Sequence, residues 1–116
     1  QAEVFVRLLR GEVTDFIAEQ AEDYCFARMF SYLTRETGAK RWPSLAGHES
    51  NRLDEMEVVI TSIRRGEMIT SRDHRVVQAA VMWGLVNGVS VNICYPEVVN
   101  KSWPEFWRFV AMHTKS

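Results

Sequence analysis

Cysteine is scarce in this sequence. Two cysteines, Cys25 and Cys94, occur in 116 residues and lie far apart in apolar surroundings. Small secreted scaffolds usually carry several disulfide bonds, whereas free cysteine is among the most buried residue types. We therefore predict two reduced, buried thiols and a cytoplasmic location.

A surplus of charge is also missing. Fourteen basic and fifteen acidic residues give a formal net charge of -1, so no long-range field attracts nucleic acid or anionic lipid. The longest apolar stretch, within 76–91, is interrupted by Gln78, Asn87 and Gly88 and is too short to span a membrane. We predict no membrane contact and no direct nucleic-acid binding, and a partner held by local shape and apolar area.

Sequence patterns of catalysis, cofactor binding and metal binding are lacking. There is no GxSxG, HExxH, CxxC, P-loop or glycine-rich dinucleotide pattern, and the three histidines stand apart. His74 is interpreted as a solvated polar residue at a helix start, and the carboxylates within 19–23 and 54–57 as solvated helix faces. We predict no catalytic residue, no cofactor and no metal, although a pocket between helices would escape this reasoning.

The composition itself is that of an ordinary globular domain. Apolar residues make up 47% of the chain and charged residues 25%, with six Phe, four Trp and five Met for the core. The prediction is one all-α domain over residues 1–116, a compact bundle of four or five helices.

Apolar residues recur every three or four positions along most of the chain. Residues 2–37 form a long amphipathic helical region, which Gly11 interrupts and Gly38 closes, either as two helices or as one rod. Residues 39–48 form a loop. A helix begins after Ser50 or Asn51 and ends at Gly66.

The next helix is apolar around nearly all of its circumference and is placed at the centre of the domain. Thr70 and Asp73 form a capping box at its start, and Gly88 provides its stop. Residues 89–95 alternate as a strand does, but extended loop, continued helix and an edge pairing with a second copy stay open. Ser102 and Glu105 make a capping box for the last helix.

Aromatic and aliphatic residues at the two chain ends are the candidate partner-binding residues. Trp and Arg often dominate protein interfaces. Alternatively, the apolar residues at both chain ends close the core of the monomer. The candidate residues are Phe5, Leu8 and Leu9 near the start, and Trp103, Phe106, Trp107 and Arg108 near the end.

A competing interpretation is a DNA-binding helix-turn-helix protein. Arg64 and Arg65 precede a turn, and Arg72 and Arg75 lie where a recognition helix would begin. Crowding of valines on that helix and the near-zero net charge argue against it.

Over its whole length the chain resembles the LasR-specific quorum-sensing antiactivators, small all-helical bacterial proteins. The resemblance is carried by size, helix content and the stretches 76–83 (VVQAAVMW) and 102–107 (SWPEFW). It implies a non-enzymatic regulator that binds a transcription activator of the LasR type and blocks its dimerisation. A helical adaptor of this kind is also expected to form a homodimer.

Overall fold

All regular secondary structure in the described part of the chain is helical. The computed structural model describes residues 2–12, 14–46, 51–101 and 103–113. The all-α fold is thereby confirmed, although these residues hold more helices than the four or five predicted. The α-helices are α1 (Ala2–Leu9), α2 (Tyr24–Met29), α3 (Arg35–Arg41), α4 (Arg52–Arg65), α5 (His74–Asn87) and α6 (Phe106–His113), and short 3₁₀-helices cover Ala21–Asp23, Pro43–Ala46 and Pro96–Lys101.

Helix α5 is the centre of the fold, as its apolar circumference predicts. It packs against α1, α2, α4 and the 3₁₀-helix Pro96–Lys101. One side of α5 faces a cluster of buried residues with α2 and α4, and the other faces a cluster with α1 and α6. No helix within the described residues has the length and apolar character needed to cross a membrane.

Local signals placed both ends of α4 and the C-terminal end of α5 correctly. The Asn51 side chain accepts a hydrogen bond from the amide of Asp54 (3.2 Å), and Gly66 ends α4 with φ +69°. Gly88 ends α5 with φ +66°. The Thr70 capping box is wrong: the chain stays non-helical to residue 73, and Asp73 itself caps α5.

The helical region predicted over residues 2–37 is confirmed over α1, but the long helix expected after Gly11 is wrong. Residues 14–19 are not helical, α2 ends at Met29, Ser31 has φ +64°, and Thr34 caps a new helix. Tertiary contacts explain the difference. The Phe16 ring packs edge-on against Phe26 at 5.0 Å, and the Tyr32 hydroxyl donates to the carbonyl of Thr14 at 2.6 Å, so this stretch folds back on α2.

Gly38 lies inside α3 instead of closing a helix. A Cβ atom there would collide with the Tyr24 ring, with Cδ1 at 2.6 Å. The missing side chain lets α3 lie directly on this fully buried tyrosine. The predicted loop 39–48 is therefore helical to Arg41 and again over Pro43–Ala46, and its end lies outside the described residues.

Residues 89–95 form an extended loop that makes an isolated parallel β-bridge, between Ile93 and Ile69. The Ile69 amide donates to the carbonyl of Asn92 (2.8 Å), and the Cys94 amide donates to the carbonyl of Ile69 (2.9 Å). Val91 and Ile93 turn inward whereas Ser90, Asn92 and Cys94 are exposed. The alternation therefore reflects a half-buried loop, not a strand.

Two smaller expectations concern the cysteines and the start of the last helix. Both cysteines are free, but Cys94 is exposed and Cys25 alone is buried. Helix α6 begins at Phe106, and the capping role predicted for Ser102 falls outside the described residues.

Gly38→Ala tests the contact between α3 and Tyr24. Alanine normally stabilises a helix by about 1 kcal/mol relative to glycine. Here we expect a loss of about 1–3 kcal/mol, because the new methyl group overpacks against the ring. Urea denaturation measures it, with exposed Glu36→Ala in the same helix as a near-neutral control. A stabilised Gly38→Ala variant would contradict this packing.

Candidate functional site

An apolar groove of about 370 Å³ lies where the end of α5 meets α6 and the loop after Gly88. Among its described lining residues, Ser90 alone has a polar side-chain group other than the Trp107 indole. We call it the α5–α6 groove. It is lined by Val81, Gly84, Leu85, Gly88, Val89, Ser90, Val91, Ile93, Trp107 and Val110.

Two glycines four residues apart shape one wall of the groove. A Cβ atom on Gly84 would approach Val91 Cγ2 to 2.6 Å and the carbonyl oxygen of Val89 to 2.8 Å. Gly88 supplies the left-handed conformation that turns the chain back, and the Val89 amide then donates to the carbonyl of Gly84 at 2.9 Å. The loop can therefore lie directly on the helix.

Trp107 forms the opposite wall in a fixed orientation. Its indole Nε1 donates to the carbonyl of Pro96 at 2.9 Å, and its ring meets buried Phe106 edge-on at 5.1 Å. A tryptophan held in this way presents an apolar face without losing further side-chain freedom on binding.

The candidate partner-binding residues are divided between core and surface. Phe5 and Phe106 are fully buried, so their side chains belong to the core. Helix α1 also packs on α6, since the rings of Phe5 and Phe109 lie 5.7 Å apart.

The other candidates lie nearer the surface. Leu8, Leu9 and Trp103 are half-buried against the same cluster, and exposed Arg108 pairs with Glu105 at 3.1 Å. Trp107 is the member of the candidate set that lines the groove. The aliphatic lining residues were missed, although Gly84 and Gly88 gave a signal in their four-residue spacing.

The chemistry of the groove is suited to binding. None of its described lining residues carries a carboxylate, imidazole, thiol or ammonium group. Apolar walls and one hydroxyl remove water from an apolar ligand but offer no group for proton transfer.

Three of the six carboxylates interpreted as solvated faces are partly exposed, as expected, but also form ion pairs between elements. Arg28 binds Glu57 through two hydrogen bonds of 2.9 Å, and Arg35 binds Asp54 at 2.8 Å. Arg75 of α5 reaches Glu22 at 3.0 Å. Partly exposed pairs of this kind contribute little stability each, but they occupy the arginines.

Two buried side chains of α2, Tyr24 and Cys25, are held in their neutral forms. Burial raises the pKa of the Cys25 thiol far above its usual range and raises the pKa of Tyr24 to about 12. The Tyr24 hydroxyl also has no hydrogen-bond partner among the described residues. A neutral thiol and a neutral phenol are poor nucleophiles.

Further described groups do not form a metal site or a DNA-reading surface. No three His, Cys, Asp or Glu side chains among the described residues are grouped to hold a metal ion. The helix that would enter a DNA groove is α5, and its residues from Val76 to Met82 are buried. Arg72 stacks on Tyr95 at 4.4 Å and binds its hydroxyl at 3.0 Å.

Comparison with known proteins gives one family. The sequence model of the EPSP synthase family (3-phosphoshikimate 1-carboxyvinyltransferase) matches residues 45–110. This is more than half of the chain, and by this match the chain belongs to that family. The match runs from the 3₁₀-helix Pro43–Ala46 through α4 and α5 into α6. No curated protein and no solved structure matches the chain.

Trp107→Phe tests how the groove wall is held. The variant keeps an aromatic ring but loses the hydrogen bond to Pro96, which contributes about 0.5–1.5 kcal/mol. Trp83→Phe is the control, because it makes the same change at a half-buried tryptophan in α5. Denaturation curves should show the larger loss for Trp107→Phe. Equal losses would mean that the indole bond does not hold the wall.

The titration of His74 should make the stability of the fold depend on pH. Burial lowers its pKa, and the cations Arg52, Arg75 and Lys101 lower it further against the opposing effect of Asp73. The unfolded chain, with a histidine pKa of about 6.5, therefore binds the proton more readily than the folded chain. The contribution of neutral His74 to the free energy of unfolding is therefore fully present above about pH 6.5, the unfolded pKa, and is lost as the pH decreases through the folded pKa.

His74→Gln removes this titration but leaves all others in place. Thermal unfolding between pH 8 and pH 5 should show a smaller loss of stability for the variant than for the wild type. Parallel curves for the two proteins would show that His74 does not contribute.

Proposed function

We propose that this chain is a non-enzymatic regulatory protein that binds a protein partner in its α5–α6 groove. The partner class we propose is a quorum-sensing transcription activator of the LasR type. Binding would cover the surface through which the activator dimerises and so prevent it from binding DNA. The resemblance to LasR-specific antiactivators supports the choice of partner.

The observation that carries this proposal is the uncharged, largely preformed apolar groove. Its volume of about 370 Å³ is enough for a few aliphatic side chains on one face of a helix, and a groove that takes such a face is a recurring mode of protein recognition. Val89 at its edge is 39% exposed, so apolar area remains to be covered. Trp107 supplies a rigid anchor of the kind found at the centres of interfaces.

Self-association belongs to the same proposal. A helical protein with exposed apolar area can bury it against a second copy, and closed two-fold dimers are the commonest result. We propose a homodimer in solution, in exchange with the complex.

The family match raises carboxyvinyl transfer to 3-phosphoshikimate as the competing function. A phosphorylated substrate requires cations that converge on it without partners of their own. Over the matched residues, Arg52 is bound to Asp73, Arg72 to Tyr95 and Arg75 to Glu22. The exposed cations Arg64, Arg65 and Lys101 do not line the groove. This arrangement favours the binding function over the enzymatic one.

The helix-turn-helix alternative has less support. Its recognition helix would be α5, and exposing α5 to a DNA groove would uncover the core on both of its sides. The near-zero net charge also deprives it of the phosphate attraction on which DNA binding depends.

Val89→Glu tests the groove. A carboxylate at its edge would be buried without a counter-charge on binding, a cost of about 3 kcal/mol or more, which corresponds to at least about 100-fold weaker binding. Ile17→Glu is the matched control, because Ile17 is 75% exposed and lies away from the groove. Calorimetry with a purified LasR-type activator measures affinity, and light scattering measures the activator's dimer.

The proposal requires that wild type and Ile17→Glu bind and dissociate the activator dimer while Val89→Glu does not. Equal binding by both variants would place the interface elsewhere and contradict the groove. A rise in melting temperature with 3-phosphoshikimate, with no binding to the activator, would replace this proposal by the enzymatic one.

A further inference from the structure

A second pocket, apart from the α5–α6 groove, lies between α4 and the segment before α5. Its volume is about 230 Å³, and it shares no lining residue with the groove. We call it the α4 pocket. Its walls combine aliphatic side chains with two carboxylates, a combination absent from the groove.

The carboxylate of Glu55 is the distinctive group of this pocket. One of its oxygens accepts a hydrogen bond from the Ser71 hydroxyl at 2.9 Å, whereas the other is buried and has no donor among the described residues. Asp54, also in the wall, is bound to Arg35. Arg52 is bound to Asp73. Glu55 therefore makes no ion pair within the described residues, which is costly for a half-buried carboxylate.

The rest of the wall is aliphatic and partly open to solvent. Val59 and Ile69 are buried beneath the pocket, and Val58 at its edge is 63% exposed. Val58 follows Glu55 by three residues and so lies on the same face of α4. Apolar area thus adjoins a carboxylate with one oxygen that has no hydrogen-bond donor among the described residues.

We propose that the α4 pocket binds an arginine or lysine side chain of a protein partner. The aliphatic stem of such a side chain covers Val58 and Val59, and its cationic head donates to Glu55. The terminal torsion of glutamate is broad, so rotation can turn the oxygen without a donor toward the head group. The new charge-assisted hydrogen bond then offsets the disturbance of the bond from Ser71. Charge complementarity selects this occupant, because an anion is repelled and an uncharged apolar chain leaves the carboxylate unsatisfied.

The test is a titration of the full chain with the peptide acetyl-Gly-Arg-Gly-amide, followed by nuclear magnetic resonance. The probe signals are the Ser71 amide and the methyl groups of Val58 and Val59. The matched peptide contains citrulline in place of arginine, which keeps the shape but removes the charge. We expect saturable shifts with the arginine peptide and at least about tenfold weaker binding of the citrulline peptide.

Two variants locate the binding, and a third is the control. Glu55→Gln keeps the size of the side chain and should weaken arginine-peptide binding about tenfold. Val58→Lys leaves Glu55 and Ser71 in place but puts a cation at the pocket edge, which should also prevent binding. Glu12→Gln removes the same charge from an exposed site after α1 and should bind as the wild type does. Melting curves confirm that each variant is folded.

Loss of binding in either folded pocket variant, with retention in Glu12→Gln, supports the assignment. Three results would overturn it: no saturable shift of the probe signals in the wild type, equal affinity for the two peptides, or unchanged binding in Glu55→Gln and Val58→Lys. The α4 pocket and the groove share no residue. A negative peptide titration therefore does not contradict the proposed function, and unchanged activator binding by Val89→Glu does not contradict the α4 pocket.

Discussion

The carboxylate of Asp73 fixes the start of the central helix. Asp73 is 8% exposed, and one of its oxygens accepts the amide of Arg75 at 2.9 Å while the other accepts Nε of Arg52 in α4 at 2.8 Å. The Ser71 hydroxyl accepts a hydrogen bond from the amide of Asp73 and donates one to the carboxylate of Glu55. Breaking one half of such a buried pair leaves a charge uncompensated and costs about 3–5 kcal/mol. Helix α5 therefore enters the core in one direction, fixed relative to α4.

The rest of the architecture follows from that direction. Because α5 is buried along most of its length, both apolar clusters form against it, one toward α2 and α4 and one toward α1 and α6. The groove appears at the end of α5, where Gly84 and Gly88 replace side chains and bring the following loop close to the helix. The α4 pocket appears near its start, below Ser71. Both candidate binding sites are thus consequences of how one helix is placed.

Sequence reasoning succeeded where the structure is decided locally. Both ends of α4 and the C-terminal end of α5 depend on Asn51, Gly66 and Gly88, whose side chains or backbone conformations act within one turn. It failed over residues 12–37, where helical spacing was outweighed by the packing of Phe16 on Phe26 and of Tyr24 on Gly38. Trp107 was found as a candidate because a large aromatic stands out in a sequence. The other groove residues were not, since their proximity depends on Gly84 accepting a loop from later in the chain.

The internal pairing of several charges agrees with the proposed recognition by local shape. Arginines 28, 35, 52 and 75 are each bound to a carboxylate of another element. Their charge therefore holds helices together and adds little to the field outside the protein. A partner approaching this surface meets an uncharged apolar groove and one half-buried carboxylate without an ion pair. Recognition by apolar anchors, oriented by a single charged contact, is what this distribution supports.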